Sequence, residues 1–297
     1  MVPFILVSCK KEHGLSLKTL AKKHAVTFNV TNFKQSHGAF ALRIKSSHLA
    51  SDTLANLAGY IDLLYYVVRD SNNTVIKTIV QDSTMANMGV ITDSLATGNY
   101  SIGMVAGKNG LALTTDPGYG LLYGYSGNAW EDTFLTSFSL TVGSQDITMA
   151  PSLNRVVGKL EVTLQDAVPQ NAARLLIAVA NYSSEAQVFG GALPPNYQYF
   201  NYAVAIPASA IGQTNFTVDR LVFGNSGSYF DIHLVAEDAV GNVIGTAVAW
   251  SVVIPANQKL ILSGNLFNSS YSQTFTASAD TTWGSGGPQI GFSLRKH

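Results

Sequence analysis

Short segments in which apolar and polar residues alternate, separated by turn-forming residues, recur along the chain from residue 26 onward. Residues 26–30, Val-Thr-Phe-Asn-Val, have this period of two, which is typical of a strand with one buried face. Residues 61–68 are rich in β-branched and aromatic residues, and a polar run at 70–73 separates them from a similar segment at 74–80, which predicts a β-hairpin. No segment has a convincing helical period over more than two turns. The pattern therefore predicts an all-β fold.

Charge and cysteine content narrow the possible functions. The chain has 18 Lys and Arg against 18 Asp and Glu, and its formal net charge is zero. Without a long-range positive field, it is not expected to bind nucleic acid. Only 12% of its residues are charged, compared with about 25% in typical globular domains. Because there is a single cysteine, no disulfide can form within the chain, and core packing must hold the fold.

An internal similarity predicts two related domains. A length of 297 residues suggests roughly two domains. Residues 97–106 resemble 226–236, since in both a glycine turn precedes a tyrosine-led strand that ends in Val-Ala, and residues 61–68 parallel 174–180. Two copies of one β-sandwich are the simplest explanation. The alternative is that turn-plus-strand pieces look alike in any β-protein.

The polar, turn-prone stretch at residues 144–154 predicts where the domains divide. Pro151 lies near its centre, so we expect an N-terminal β-sandwich at residues 25–150 and a C-terminal one at 151–297. Within the second, residues 175–180 are continuously apolar and predict a strand buried on both faces. The turn at residues 238–242 contains Gly and Asn for positive φ and predicts a hairpin.

Cys9 closes the apolar run Phe-Ile-Leu-Val-Ser-Cys at residues 4–9, which reads as a bacterial lipobox. We therefore expect residues 1–9 to be a truncated lipoprotein signal, Cys9 to carry the lipid, and residues 10–24, with five lysines, to be a basic tether. A signal needs a basic start, which residues 1–3 lack, so the true translation start is expected upstream. The alternative is that Cys9 is a small buried hydrophobic residue. The tether is expected to be solvated, to lean on anionic head groups, or both.

No motif predicts a cofactor, a metal site or a catalytic centre. None of the six histidines lies at a metal-ligand spacing from another ligand. Only His233 falls within a predicted strand, where it alternates with Asp231 and is expected on the solvent face. A further possibility is an enzyme that uses scattered Asp and Glu residues. Two carboxyl groups about 5–9 Å apart in an open cleft would favour it.

Two aromatic segments are candidate contact surfaces. The first, at residues 116–125, alternates tyrosines with glycines and is followed by a tryptophan, and the second lies at residues 194–202. Exposed rings on such loops can stack on sugars or pack against a partner. The alternative is that these rings cap the sandwiches. The candidate residues are Tyr119, Tyr123, Tyr125, Trp130, Tyr197 and Tyr199.

Four motifs are spread along the chain. Residues 153–162 fit the pattern Leu-x-Arg-x-x-x-Lys-x-x-Val, and Asp166 and Pro169 follow. Residues 257–267 have a strand pattern that ends in the run Gly-x-Leu-Phe, and Trp283 lies near the end of the chain. Cys9 is followed by Lys-Lys-Glu. Together these motifs resemble the FimB-type fimbrial subunit and anchor lipoproteins of the fimbrillin superfamily, and the resemblance extends over nearly the whole chain.

The resemblance implies two tandem transthyretin-like, Greek-key β-sandwiches after a lipoprotein signal and a short tether. It also implies a palmitate-bearing lipoprotein of the outer membrane, partnered by other fimbrial subunits through donation of a β-strand to a neighbour's groove. The leading hypothesis is a structural fimbrial anchor or accessory subunit in cell adhesion, without enzymatic activity. The alternative is a surface lipoprotein that binds glycans through its Tyr-rich loops.

Overall fold

A computed structural model confirms the all-β prediction. The structure describes residues 22–30, 32–34, 60–125, 129–190, 200–224, 229–267 and 275–280. Within these ranges the regular elements are strands and a short 3₁₀ turn at Ala208–Ala210, and Tyr60 is in a helical conformation. No helix in the described part is long and apolar enough to cross a membrane. Cys9, the proposed signal, most of the tether, and Trp283 lie outside the described residues.

The described strands are numbered in chain order. Those of the first half are β1 (Lys23–Asn29), β2 (Asn32–Lys34), β3 (Leu63–Arg69), β4 (Val75–Asp82), β5 (Val90–Ala96), β6 (Gly98–Gly107), β7 (Leu111–Asp116), β8 (Gly120–Tyr125), β9 (Thr133–Val142), β10 (Ile147–Met149) and β11 (Ser152–Arg155). Those of the second half are β12 (Val157–Leu164), β13 (Ala172–Val179), β14 (Glu185–Gln187), β15 (Phe200–Ala205), β16 (Phe216–Phe223), β17 (Phe230–Asp238), β18 (Val243–Val252), β19 (Lys259–Gly264) and β20 (Thr276–Asp280).

The first half contains two sheets that enclose an apolar core. One sheet has the order β10-β1-β5 and the other the order β2-β11-β9-β6-β3-β4. The alternation in β1 buries Val26 and Phe28, while Ile102 and Met104 of β6 face them from the other sheet, all in one cluster. The alternating residues thus form the interior of a β-sandwich, as their period predicts.

The second half repeats this arrangement. Its sheets have the orders β16-β12-β19-β20 and β15-β13-β17-β18. β12 pairs antiparallel with β16 and parallel with β19, just as β1 pairs antiparallel with β5 and parallel with β10. The order β9-β6-β3-β4 likewise corresponds to β18-β17-β13-β15. The predicted equivalences are therefore present in the topology, with β6 matching β17 and β3 matching β13.

Aspartates organise the two predicted hairpin turns in the same way. The Asp70 carboxylate accepts hydrogen bonds from the backbone N–H groups of Asn72 and Thr74, each at 2.9 Å. The Asp238 carboxylate accepts those of Val240 and Asn242 at 3.0 and 2.8 Å. The turns are therefore held locally by the side chain of their first residue, as expected for Asp in a turn.

Several boundaries differ from the prediction. β1 begins at Lys23, so the last two residues of the predicted tether belong to a strand. The stretch at residues 144–154, expected as a turn-rich linker, contains β10 and β11, and β11 pairs with β9 of the first half. The domain boundary at residues 150 and 151 stays a prediction, and the change from one set of sheets to the other falls between β11 and β12.

β13 was expected to be buried on both faces, and that prediction is wrong. Leu175, Ile177 and Val179 point into the core, whereas Leu176 and Ala178 on the opposite face are partly exposed. A continuous apolar run cannot by itself distinguish a strand with two buried faces from one with a single buried face. The outer face of β13 is consequently apolar at Leu176 and Ala178 and partly exposed there.

A small third sheet, β14-β8-β7, joins the halves. The hairpin of β7 and β8 lies between β6 and β9 in sequence. In the second half, β17 and β18, the counterparts of β6 and β9, follow each other directly. β14 lies between β13 and β15, where the first half has only the short turn between β3 and β4. Residues 185–187 of β14 pair antiparallel with residues 122–124 of β8. The joining sheet is therefore built from segments that the shared sandwich lacks.

Candidate interaction surfaces

Trp130 lies at the centre of the junction between the halves. Its indole Nε1–H donates a hydrogen bond to the carbonyl oxygen of Ser183 at 2.7 Å. Its ring meets the rings of Tyr123 and Tyr125 edge-on, at centroid distances of 5.8 and 6.0 Å, and lies 5.0 Å from the ring of Phe223. Such aromatic pairs stabilise beyond their area alone. The ring cluster therefore continues the core of the second half into the first.

Tyr123 and Tyr125 lie on β8 and not on a loop, and both are buried. The Tyr125 hydroxyl accepts the backbone N–H of Lys108 at 3.0 Å and shares a 3.1 Å hydrogen bond with the Thr133 hydroxyl. Burial raises the pKa of Tyr123 above its ordinary value and raises the pKa of Tyr125 to about 12. Tyr123, Tyr125 and Trp130 therefore fill the junction and are not exposed loop rings, which agrees with the alternative that these rings pack against the sandwiches.

Gly103 allows the second half to approach the outer face of β6 closely. A Cβ atom at Gly103 would lie 2.5 Å from Cγ1 of Val188 and 3.0 Å from the Phe189 ring. The guanidinium group of Arg69 lies 4.5 Å from the centroid of the Phe189 ring, which permits a cation–π interaction. Val105, on the same face as Gly103, is fully buried. The junction is thus close-packed around a position where no side chain fits.

Polar contacts complete the junction. Arg155 of β11 donates from Nε and Nη2 to the two carboxylate oxygens of Asp132 at 2.7 and 2.8 Å. Burial raises the pKa of Asp132, and the nearby Arg155 opposes that shift. A further bond runs from Nη1 of Arg155 to Oδ1 of Asn257 in the second half, at 3.4 Å. A largely buried charge is costly unless it is paired and hydrogen-bonded, and the guanidinium group of Arg155 is both.

Tyr119 is the described aromatic candidate that remains exposed, with 45% of its surface accessible. It lies in the β7–β8 turn, where the Asp116 carboxylate accepts the backbone N–H groups of Gly118 and Tyr119 at 2.7 and 2.9 Å. The amide of Gln187 donates to the Tyr119 carbonyl at 3.1 Å, so the turn is also held by the second half. Cys9, Tyr197 and Tyr199 lie outside the described residues.

A further exposed aromatic residue, Trp250, was not predicted as a contact residue. Trp250 of β18 is 43% exposed, and its ring meets that of His233 edge-on at 5.4 Å. The pairing of β17 with β18 is irregular beside Trp250. The next residue, Ser251, has a φ of 53°, and its backbone N–H donates a hydrogen bond to the Asp231 carboxylate at 2.8 Å. The predicted position of His233 on the outer face is confirmed. Applying the same alternation to β18 could have found Trp250.

Exposed apolar residues also follow the β3–β4 turn. Val75, Ile76 and Val80 on the edge strand β4 all present a large part of their surface to solvent, with Ile76 48% exposed. Contiguous exposed apolar residues often mark contact surfaces.

In the described residues, no group of three or more His, Cys, Asp or Glu side chains could hold a metal ion.

These features define a tandem β-sandwich protein whose two halves are joined by an inserted sheet and an aromatic cluster. Three solved structures share this fold at low sequence identity. The fimbrial anchor protein Mfa2 from Porphyromonas gingivalis has a TM-score of 0.52 at 10% identity, covering 87% of this chain and 97% of that protein. A candidate adhesin from Bacteroides ovatus has a TM-score of 0.52 at 9% identity, covering 82% of this chain and 87% of that one.

A candidate polysaccharide-binding protein from Bacteroides thetaiotaomicron also has a TM-score of 0.52, at 11% identity, covering 82% of this chain and 92% of that one. No protein-family model matches the sequence, and no curated protein matches it at the sequence level. At identities near 10%, these likenesses establish the fold and leave function to be argued from surfaces.

Proposed function

We propose that this protein is a cell-surface lipoprotein that acts as a structural fimbrial anchor or accessory subunit, without catalysis. The observation that carries the proposal is the two-sandwich fold, which is similar to that of the fimbrial anchor protein Mfa2 over 87% of this chain. The candidate adhesin from Bacteroides ovatus, with the same fold, adds support for a role in surface contact.

The junction supports a role in transmitting force. A subunit placed between a membrane and a fibre must transmit force from one end to the other. Here the halves are joined by paired strands β8 and β14, by the Trp130 cluster and by close packing at Gly103. Domains that are joined by a linker alone move relative to each other, whereas a large apolar interface holds them fixed. The junction therefore has what a rigid spacer requires.

The anchor would be the lipid on Cys9. Burying an acyl chain contributes about 0.8 kcal/mol per CH₂, so a diacylglycerol with a further palmitate anchors stably where one chain does not. The lysines at residues 10–23 would add attraction to anionic head groups. The predicted location is the outer membrane, on the cell surface.

The lipid anchor can be tested with one substitution. Full-length protein and a Cys9→Ala variant are expressed in a bacterium that processes lipoproteins, with a palmitate analogue for labelling. We expect label and outer-membrane recovery in the wild type and loss of both in the variant, whereas Tyr119→Ala should behave as the wild type. Membrane recovery of Cys9→Ala equal to that of the wild type would refute the anchor.

Assembly by strand exchange is part of the same proposal. Main-chain hydrogen bonds to an exchanged strand would give affinity, and side-chain pockets would give specificity. The test is chemical crosslinking on intact cells, followed by identification of peptides linked to this chain. Links to fimbrial subunits are expected, and their absence alongside efficient crosslinking of other surface proteins would contradict the proposal.

Glycan binding is the second candidate function. Two observations favour it: Tyr119 is exposed on a held turn, and a candidate polysaccharide-binding protein shares the fold. Aromatic rings offer sugars a flat apolar surface. A glycan array should then show binding that Tyr119→Ala or Tyr199→Ala weakens and that Val240→Ala, an exposed substitution elsewhere, leaves unchanged. No binding by the wild type would remove this candidate.

A further inference from the structure

The interior of the first sandwich contains a carboxylate. Asp93 lies on β5 between Ile91 and Leu95, and all three face the core, because a strand points every second residue to the same side. The Asp93 side chain has no accessible surface, and Ile91 and Leu95 belong to the apolar cluster around it. A buried carboxylate is costly unless it is paired and hydrogen-bonded. The contacts of Asp93 therefore indicate what it does there.

The second sandwich shows that the fold does not require an aspartate at this row. β1 pairs Val26 with Asp93, and the matching strands β12 and β16 pair Val162 with Val218. In both sandwiches the next row is a pair of threonines, which fixes the correspondence. Replacing a buried ion pair by apolar residues is often neutral or stabilising, so stability alone is a weak explanation for Asp93.

Three groups surround the Asp93 carboxylate. Nζ of Lys77 contacts Oδ1, and the Tyr66 hydroxyl donates a hydrogen bond to Oδ2 at 3.1 Å. The backbone N–H of Ser94 donates one to Oδ1 at 2.6 Å. Lys77 lies on β4 of the six-stranded sheet, and Asp93 lies on β5 of the three-stranded sheet. The amine and the carboxyl group thus meet across the two sheets of the sandwich.

An amine that is held against a carboxyl group can form an amide once both groups are neutral. The pair achieves this by itself, since one proton that passes from the Lys77 ammonium to the Asp93 carboxylate leaves an amine and a carboxylic acid. Burial favours this transfer because it disfavours the charged forms. Holding two reacting groups in place is equivalent to a concentration of about 10⁵–10⁸ M. Groups that stay an ion pair in free solution can therefore react here.

Tyr66 is placed to assist such a reaction. Its side chain is fully buried, and its ring lies 5.5 Å from the ring of Phe28. Burial, together with the Asp93 carboxylate, raises the pKa of Tyr66, so the hydroxyl remains a proton donor. Negative charge develops on Oδ2 as Nζ of Lys77 adds to Cγ of Asp93, and a fixed donor at that oxygen stabilises the charge.

We propose that Lys77 and Asp93 form an isopeptide bond, with Tyr66 as the donor that stabilises the charge on Oδ2. The bond between Nζ and Cγ forms, and the bond between Cγ and Oδ1 breaks. Of the three ammonium protons, two leave with Oδ1 as one water molecule and the third stays as the amide N–H. Oδ2 becomes the amide oxygen and keeps its hydrogen bond from Tyr66. The reaction consumes no oxidant, reductant or cofactor.

The bond cross-links the two sheets of the first sandwich at β4 and β5, each of which is the last strand in the described order of its sheet. Lys77 is partly exposed at this edge, where the released water can reach solvent. The inference goes beyond the proposed fimbrial role and does not rest on it. Its measurements involve neither lipid nor membrane, so failure of the bond and failure of the anchor are distinguishable.

Intact mass under denaturing conditions tests the bond. The full chain is produced in a Cys9→Ala background, so that no lipid contributes to the mass. We expect this protein to be lighter than its sequence mass by one water molecule. Tandem mass spectrometry of a digest should find the peptide that contains Lys77 joined to the peptide that contains Asp93. A mass equal to the sequence mass would overturn the proposal and leave an ion pair only.

Substitutions in the same background give distinct readouts. Lys77→Arg keeps a cation beside Asp93 and should have the full sequence mass. Asp93→Asn should form the same bond with loss of ammonia, so its deficit should change from one water to one ammonia. Lys159→Arg is the matched control and should keep the deficit of one water, because Lys159 contacts the exposed carboxylate of Asp219. A deficit of one water in Lys77→Arg would place the loss elsewhere and overturn the proposal.

Tyr66→Phe tests the assisting donor. The variant keeps the buried ring and loses the hydroxyl, so the bond should form on the order of 100-fold more slowly. Mass spectra of freshly synthesised protein, sampled over time, measure the rate, and circular dichroism checks that the variant is folded. An unchanged rate in folded Tyr66→Phe would overturn the role assigned to Tyr66.

Discussion

The indole of Trp130 donates its N–H to the carbonyl of Ser183 at 2.7 Å, and this bond joins the segment before β9 to the segment before β14. Both groups are buried at the junction, so neither can exchange its partner for water. A buried hydrogen bond of this kind contributes little on forming but costs much when one partner is removed.

Trp130→Phe should therefore lower the free energy of unfolding by about 1–3 kcal/mol, because the Ser183 carbonyl is left without its donor and the smaller ring leaves space beside Phe223. Urea denaturation followed by circular dichroism measures the change. Trp250→Phe, at an exposed tryptophan, is the matched control and should stay within about 0.5 kcal/mol. Equal effects of the two substitutions would contradict a structural role for Trp130.

Gly103→Ala should disrupt the junction sterically. The added Cβ would lie 2.5 Å from Val188, and overpacking of this kind costs about 1–3 kcal/mol. Gly143→Ala is the control, since a Cβ there meets nothing within 4 Å. Thermal unfolding measures both. A double variant with Val188→Ala should recover part of the loss, and additive effects of the two substitutions would argue against direct contact.

The sequence pattern was enough to predict the β-sandwiches but not the junction. Alternation in residues 26–30 placed Val26 and Phe28 in the core, because a half-buried strand repeats every two residues. The internal similarity likewise paired β6 with β17. Tyr123 and Trp130, by contrast, follow the same local rules whether they face solvent or a second domain. β14 covers Tyr123, and Ser183 and Phe223 contact Trp130. All of these lie more than 50 residues away in sequence, and no local pattern specifies such contacts.

The face of a strand is similarly underdetermined when both its faces are apolar. Residues 175–180 contain no polar position that would mark the outer side, so the prediction of two buried faces was wrong. In β18 the alternation indicates that Trp250 faces outward. The irregular strand pairing near Ser251 changes the alternation just after it, and the sequence does not reveal that irregularity.

Tyr125 should make stability depend on pH in alkali. Its folded-state pKa is raised to about 12, mainly by burial, above an unfolded value of about 10. A raised pKa means that its contribution is fully present below pH 10 and is lost as the pH rises from 10 to 12. The difference in unfolding free energy between the wild type and Tyr125→Phe should therefore shrink over that window. Urea titrations at pH 8 to 12 measure it, and a constant difference would contradict the assignment.

Asp166 joins two segments that the sequence analysis had singled out separately. Its carboxylate accepts the backbone N–H of Leu266, with its two oxygens at 2.9 and 3.0 Å, and that of Phe267 at 2.5 Å. An aspartate two residues after β12 thus holds the Leu-Phe pair that follows β19. Both Asp166 and Leu266 are buried. Hydrogen bonds to a charged acceptor contribute about 1.5–3 kcal/mol each.

Asp166→Ala should lower the free energy of unfolding by about 3 kcal/mol, because two backbone donors lose an ionised acceptor inside the protein. Asp166→Asn keeps one acceptor oxygen and should lose roughly half as much. Asp116→Ala is the matched control, since the Asp116 carboxylate also accepts two backbone N–H groups but does so in an exposed turn, where water replaces it. Urea denaturation measures all three, and hydrogen exchange should quicken in β19 and β20 of Asp166→Ala. Equal losses for Asp166→Ala and Asp116→Ala would show that burial of the Asp166 carboxylate adds nothing.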